Sequence, residues 1–262
     1  MTLTRHLLCS LLVAAMTVAA MAVPAHAHFG MIIPSNTTPG PKSKTISLQC
    51  LFAHPFTLVG MELVKPKAFY AVMDGTKIDL LGSLKQNKML GHTAWTTDFT
   101  IKRPGVYALY MEPQPYWEPA EDLSIIHYTK TYVAAFGGEE GWDEPLGVKT
   151  EIVPMLRPFG NYAGMTFVGK VLREGKPVPG ADVEVEYYNA DNALGLPTDY
   201  HQTHVVKADD AGIFVATCPR AGWWGFAALT EGDFTVKDPD GKEKAVEMGA
   251  VLWTHFDDWK KR

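Results

Sequence analysis

The sequence predicts an all-β protein in which two β-sandwiches follow one another along the chain, after a signal peptide that is removed. Three observations favour this fold class. Short segments rich in β-branched and aromatic residues are separated by clusters of Gly, Pro and Asn, at spacings typical of sheets. No long helical period competes with them, and the strand pattern restarts near residue 162. A chain of 262 residues that loses its signal peptide also has a suitable length for two modest domains.

Residues 1–27 have the features of a cleaved signal peptide. Arg5 precedes an apolar run of about 16 residues, which is short of the ~20 residues that span a bilayer. Ala25-His26-Ala27 then offers an A-x-A cleavage site, and Val-Pro-Ala permits an alternative cut after Ala25. No later run reaches spanning length, so we expect a mature periplasmic protein without a transmembrane segment.

The first sandwich is predicted over residues 28–155. Its strands are expected in the segments KTISLQCLFA, KAFYAVMDG, AWTTDFTIKRPGVYALYME and TYVAAFGG. The second sandwich is predicted over residues 156–262, where MTFVGKVLREGKPVPGADVEVEYYN reads as a strand, a Gly/Pro turn and a second strand. The stretch GVKTEIVPMLRPFGNYAG, with its two prolines, is predicted to link the two domains.

Charge and motif content exclude several classes of function. Loss of residues 1–27 removes one of the 24 basic residues, which leaves 23 Lys and Arg against 29 Asp and Glu, a net charge of −6. An acidic chain without a basic stripe is not expected to bind nucleic acid. The sequence contains no nucleophile elbow, zinc-protease helix or phosphate-binding loop, so we do not expect an enzyme.

The position of His28 at the cleavage site suggests a metal ligand. A cut after Ala27 makes His28 the first residue, whose α-amine and imidazole together chelate nickel, cobalt or copper as a histidine brace. A cut after Ala25 instead exposes His26-Ala27-His28, a donor set that favours square-planar nickel(II) or copper(II). The first cut fits the commoner signal, but the sequence leaves both open.

A terminal residue alone makes a weak site, so a second imidazole is expected from the folded body. His54 in LFAHPF is the leading candidate, because it lies between an apolar strand and Pro55. The alternative for His54 is a histidine packed at a strand end. His127 and His92 are weaker candidate ligands, since His127 reads as a half-buried strand residue and His92 lies in a probable turn.

Two other features leave alternatives open. The segment MEPQPYWEPAEDL, which contains Trp117 and Glu118, reads as a docking loop, as a carboxylate lid over a metal, or as a Pro-rich loop that caps the core. Cys50 and Cys218 survive in a compartment that permits disulfides, but their spacing does not predict a bridge.

Several motifs together resemble one known family. They are FAHPF, HYTKTYVAAFGG, EIVPMLRPFG, GKPVPGADVEVEYYN, DDAGIFVATCPRAGWWGFAAL and GAVLW, after a signal peptide followed at once by His. The chain resembles a bacterial periplasmic family of uncharacterised domains associated with nickel and cobalt energy-coupling-factor transporters, once mislabelled as the transmembrane subunit. The resemblance implies immunoglobulin-like sandwiches, and its recurring Gly-His or Ala-His element matches the position of His54. It also implies nickel or cobalt as the metal and the transporter's membrane subunits as partners.

The sequence therefore predicts a periplasmic metal-binding accessory protein of a nickel or cobalt uptake system. Two alternatives stay open. One is a copper protein, either a chaperone or an oxidase built on a histidine brace as in lytic polysaccharide monooxygenases. The other is a structural adaptor that binds no metal. Affinity alone does not choose among the metals, because copper(II) ranks above nickel and cobalt in any nitrogen site.

Overall fold

The structure of the protein is a computed structural model, and it describes residues 28–260. Apart from two 3-10 turns, Leu81–Ser83 and Asp199–His201, the regular elements of this part of the chain are strands. The strands are β1 Phe29–Pro34, β2 Thr45–His54, β3 Val59–Met61, β4 Ala68–Met73, β5 Thr76–Asp79, β6 Lys85–Met89, β7 His92–Thr100, β8 Gly105–Glu112, β9 Tyr116–Glu118, β10 Leu123–Ala135, β11 Thr150–Pro154, β12 Asn161–Tyr162, β13 Thr166–Arg173, β14 Lys176–Pro177, β15 Asp182–Tyr187, β16 Thr203–Lys207, β17 Ile213–Thr217, β18 Gly222–Glu231, β19 Val236–Lys237, β20 Glu243–Lys244 and β21 Val246–Asp257. Within residues 28–260, no helix has the length and apolar character needed to cross a membrane.

The larger sheets form three layers. The middle sheet has the strand order β16-β15-β18-β21-β10-β8-β4-β5, with β12 paired to β21 and β9 paired to β10. The N-terminal outer sheet has the order β1-β2-β7-β6, with β3 on β2, and the C-terminal outer sheet has the order β11-β13-β14, with β17 on β13. The two outer sheets pack on opposite faces of the middle sheet.

Buried apolar clusters pack on the middle sheet, and the two largest, here called the N-terminal and the C-terminal core, lie between the layers. Alternate residues of the strands face inward, as expected where one side of a sheet is buried. The N-terminal core includes Leu48, Phe69 and Leu109, and the C-terminal core includes Phe167 and Phe226. The predicted all-β fold class, two immunoglobulin-like sandwiches, is therefore confirmed.

The two sandwiches share the middle sheet. Strand β10 from the first half of the chain pairs in parallel with β21 near its end, from Ser124↔Val246 to Thr131↔Trp253. Alternate residues of β10 enter opposite cores: Val133 lies in the N-terminal core and Tyr132 in the C-terminal core. Every residue of β10 after Leu123 is therefore buried.

Part of the predicted linker is a strand. Residues 150–154 form β11, whose five residues are all buried and pair with β13 in the C-terminal outer sheet. Burial of both faces explains the apolar pair Ile152 and Val153, and Pro154 is tolerated because β11 is an edge strand. The linker prediction is wrong for this stretch.

The two cysteines of the described chain are free and buried. Cys50 lies in the N-terminal core and Cys218 in the C-terminal core, so they are not bridged. Burial raises the pKa of both thiols, which keeps them in the unreactive protonated form.

Candidate functional site

The structure brings His28 and His54 into contact. Strands β1 and β2 pair antiparallel with Phe29 opposite Ala53, so extending this register by one residue places His28 opposite His54. The two ring centroids lie 4.6 Å apart, and the ring planes are inclined at 47°. Pairing of two neighbouring strands therefore brings together the two leading candidate ligands.

Gly30 fixes the backbone two residues after His28. Its N–H donates to Nδ1 of His127 at 3.3 Å, and its carbonyl accepts a hydrogen bond from the Trp253 indole at 2.8 Å. A Cβ at this position would lie 2.4 Å from Oγ1 of Thr129, closer than any ordinary contact. Only glycine lets β1 approach the middle sheet so closely, and this approach holds His28 in place.

A carboxylate binds the outer nitrogen of the His28 ring. Nε2 of His28 lies 3.1 Å from Oε2 of Glu118, and both side chains are largely buried. Because a carboxylate accepts, Nε2 carries the hydrogen, and Nδ1 keeps its lone pair. Histidines that bind metals commonly donate their second ring nitrogen to a carboxylate in this way.

The surroundings keep the His28 imidazole neutral. Burial, and then the neighbouring His54 and His127, lower its pKa to about 4, against the opposing effect of the Glu118 carboxylate. A neutral imidazole is the form that binds metal ions. At neutral pH no proton has to leave the ring before a metal binds.

His127 lies under the site but is already engaged. The side chain is 2% exposed, and its Nδ1 accepts from the Gly30 amide. Its Nε2 has no hydrogen-bond partner among the described residues and faces Oε1 of Glu247 at 3.9 Å. The ring packs on Gly249, where an added Cβ would lie 2.4 Å from Cδ2. His127 therefore supports the N-terminal strand, as well as lying near the imidazole pair.

His92 has a different environment. Its Nδ1 lies 3.3 Å from Oε1 of Glu62, and the side chain is 43% exposed. His92 is also not among the groups that shift the pKa of His28. The structure thus groups three of the four candidate histidines and places His92 in a surface pair with Glu62.

The available donors limit what the site can hold. Within residues 28–260, no three His, Cys, Asp or Glu side chains are arranged to bind one metal ion together. His28 and His54 together offer two imidazoles, so a three-donor site built on them needs one further donor. The α-amine of a chain that begins at His28 would be such a donor, and the set would then consist of nitrogen atoms, which suits nickel, cobalt or copper.

Sequence reasoning did not single out Glu118. It lies 90 residues from His28 and enters the site because β9 pairs with β10, with Glu118 opposite Leu123. The only sequence signal for Glu118 was the cluster of carboxylates in the Pro-rich segment MEPQPYWEPAEDL. A carboxylate lid over a metal was one of the three interpretations of that segment. That segment does place a carboxylate on His28.

The chain is thus an all-β protein of two sandwiches, with a buried imidazole pair and a carboxylate at the start of its first strand. Residues 25–232 match a family described as a domain of unknown function, DUF4198, and the chain belongs to this family. The matched range contains the imidazole pair and Glu118, while the whole of β21 lies beyond it.

Other comparisons give distant likenesses. No curated protein matches the chain in sequence. The titin immunoglobulin tandem domains A164-A165 are similar with 10% identity and a TM-score of 0.22, over 89% of this chain and 98% of that one. Fibronectin(III)-like modules of Clostridium thermocellum CbhA are similar with 9% identity and a TM-score of 0.20, over 85% of this chain and 95% of theirs. The adhesin InvE of Yersinia pseudotuberculosis is similar with 10% identity and a TM-score of 0.23, over 84% of this chain and 58% of that one.

Proposed function

We propose that this protein binds one first-row transition-metal ion in the periplasm, through His28 as the first mature residue and His54 as the second imidazole. One observation carries the proposal. The two rings lie 4.6 Å apart while the Nε2 atom of His28 is bound to Glu118. This arrangement leaves the Nδ1 atom of His28 available, and Nδ1 is the ring nitrogen nearest to the residue's own α-amine.

The chemistry of the chelate follows from these donors. The α-amine and Nδ1 of one histidine close a six-membered ring with a metal ion, and His54 supplies a third nitrogen from the opposite strand. Imidazole nitrogens bind such ions at about 2 Å, so donors on rings in contact need only small rotations to share one ion. Glu118 would hold the ring orientation and make Nδ1 more basic.

Nickel or cobalt supply to an uptake transporter is the biological role that we propose. The support for this role is the sequence resemblance to proteins associated with such transporters, whose membrane subunits would be the partners. Delivery outside the cytoplasm also requires the signal peptide predicted over residues 1–27, which lie outside the described residues.

Copper handling is the second candidate function. The observation that favours it is the donor set itself, because two imidazoles and an amine bind copper(II) more tightly than nickel(II) or cobalt(II). A structural adaptor without a metal is the third interpretation, in which His54 only packs at the end of β2 against His28.

The test uses mature protein purified from the periplasm. Intact-mass spectrometry identifies the first residue, and the same material is titrated with nickel(II), cobalt(II) and copper(II). We expect His28 to be the first residue and one metal ion to bind. His28→Ala and His54→Ala should each weaken binding by about 100-fold or more, whereas the control His92→Ala should leave it unchanged. A chain that begins at His28 but binds none of the three metals above background would contradict the proposal.

A further inference from the structure

A pocket of about 230 Å³ adjoins the imidazole pair. It shares two aromatic side chains with that pair, because the rings of Phe52 and Tyr116 lie 5.8 and 6.4 Å from the ring of His28. Its lining includes residues of β8, β9 and β10. The residues that line it include Phe52, Met111, Tyr116, Trp117, Ile125 and His127.

The walls of the pocket are mostly apolar and aromatic. Phe52 and Tyr116 meet edge to face with centroids 5.0 Å apart, and Phe52 meets His127 in the same manner at 5.7 Å. Flat ring systems are the groups that such walls pack best, through stacked and edge-to-face contacts. An apolar cavity of about 150 Å³ is enough to bind benzene, so about 230 Å³ accommodates one or two rings.

The carboxylates around the pocket argue against an anionic ligand, and the Lys244 ammonium, 5.7 Å from the centre of the Trp117 ring, is paired with Asp122. Glu62 lies at its edge, and Glu118 lies on the neighbouring His28. A cation would leave water for walls that are largely apolar, which is unfavourable here because both carboxylates already have partners, Glu118 in His28 and Glu62 in His92.

The pocket is held open by the fold. Tyr116 and Trp117 belong to β9, where they pair with Ile125 and Ser124 of β10. On the opposite side, the Trp95 indole donates to the carbonyl of Leu63 at 2.9 Å. A preformed, mostly apolar pocket with a few polar groups is the usual form of a small-molecule site.

We propose that this pocket binds a neutral aromatic heterocycle of one or two rings. This ligand site is additional to the proposed metal site, because the side-chain contacts that form the pocket do not depend on a bound metal ion. Aromatic walls supply the packing, Gln114 supplies a polar group for a ring nitrogen or N–H, and the neighbouring carboxylates disfavour anions.

The test is an indole titration of the metal-free mature protein labelled with ¹⁵N. We expect saturable shifts of the Gly30 amide and of the Trp117 indole N–H in two-dimensional spectra. Metal is absent throughout, so the result does not depend on the proposed function. The absence of saturable shifts at these positions, at millimolar indole, would overturn the proposal.

Two matched variants test the location. Val64 lines the pocket and is 61% exposed, so Val64→Trp should block it without disturbing the core. Val205 is 57% exposed on β16, outside the pocket, so Val205→Trp is the control. We expect the blocked variant to bind indole at least tenfold more weakly than wild type, and the control to bind it as wild type does. Equal affinities in the two variants would place indole elsewhere.

Charged analogues test the ligand class. Indole-3-acetate should bind at least tenfold more weakly than indole, because it brings a carboxylate towards Glu62 and Glu118. Tryptamine should also bind more weakly, because its ammonium loses water against apolar walls. Tighter binding of either analogue than of indole would contradict the neutral class.

Discussion

At the scale of single residues, Gly30 controls the position of His28. Gly30→Ala adds a Cβ that would lie 2.4 Å from Oγ1 of Thr129, so β1 has to move away from the middle sheet. Overpacking of this kind typically destabilises a protein by about 1–3 kcal/mol. We expect urea unfolding to show this loss and metal affinity to fall with it.

The matched control for this substitution is Gly40→Ala. An added Cβ at Gly40 meets no atom within 4 Å, so its free energy of unfolding should stay within about 0.5 kcal/mol of wild type. Equal stability of the two variants would show that the close approach at Gly30 is not needed.

Glu118 is the residue that orients the His28 ring. Glu118→Gln keeps the shape of the side chain but removes the charge that makes Nδ1 more basic. Loss of such a partner typically lowers metal affinity by about 10–100-fold. The measurement is the same metal titration, with Glu121→Gln, a change in the same segment, as the control. Undiminished affinity in Glu118→Gln would mean that the carboxylate does not support a bound metal.

Glu184 makes stability depend on pH. Burial, followed by repulsion from Glu247, raises its pKa to about 8 from an ordinary 4.5, and its Oε2 has no hydrogen-bond partner among the described residues. Between these two values the folded chain binds more protons than the unfolded chain, so stability falls as pH rises from about 4.5 through 8. Glu184→Gln should remove that loss, giving a gain of about 1–3 kcal/mol at pH 9 and little change at pH 5.

Urea unfolding at pH 5, 7 and 9 measures this effect. Glu174→Gln, at an exposed turn, is the control and should follow the wild-type pH dependence. A Glu184→Gln variant whose stability declines towards pH 9 as steeply as that of wild type would contradict the assignment.

At the scale of elements, β10 depends on a buried ion pair. Nζ of Lys130 lies 2.6 Å from Oε2 of Glu151 on β11, and both side chains are 1% exposed. Glu151 also accepts the N–H groups of Leu146 and Gly147. The pair therefore joins the middle sheet to the C-terminal outer sheet and to the loop before β11.

Breaking this pair should be strongly destabilising. Lys130→Ala leaves a buried carboxylate without its cation, a change that typically lowers the free energy of unfolding by about 3–5 kcal/mol. Replacing both partners, as Lys130→Met with Glu151→Leu, should recover at least half of that loss, because no charge then stays buried. Denaturant unfolding of the two variants measures the difference. A double variant less stable than Lys130→Ala would show that the loop contacts of Glu151 outweigh the ion pair.

Local patterns predicted most strands but not their partners. The segments quoted for the first half correspond to β2, β4, β7, β8 and β10, because alternation and β-branched content depend on neighbouring residues. The adjacent Trp223 and Trp224 show the two-residue period of a strand. Trp224 lies in the C-terminal core, and Trp223 packs against an apolar cluster on the opposite face of the middle sheet. Burial of β11 was missed, because a short apolar run between prolines looks like a linker.

The site was predictable in part, for the same reason. His28 and His54 were each proposed from their local setting, but their contact depends on the register of β1 on β2. The Glu118 contact depends on a register set elsewhere, between β9 and β10. No sequence period encodes either distance.

At the scale of the whole molecule, the parallel pairing of β10 with β21 joins the two halves. This pairing is non-local, which explains why the sequence predicts two sandwiches but not the sheet they share. Because one sheet serves both cores, we expect residues 28–262 to unfold in a single transition. Coincident curves by circular dichroism and tryptophan fluorescence would support this expectation, and two separate transitions would contradict it.

The central claim is that the α-amine of His28 binds the metal together with two imidazoles. The most direct test compares the copper(II) and nickel(II) affinities of a chain of residues 28–262 with those of residues 27–262. Retaining Ala27 keeps both imidazoles and Glu118 but moves the amine away from its chelating position. We expect at least a 100-fold weaker affinity for the longer chain. Equal affinities of the two chains would contradict the account.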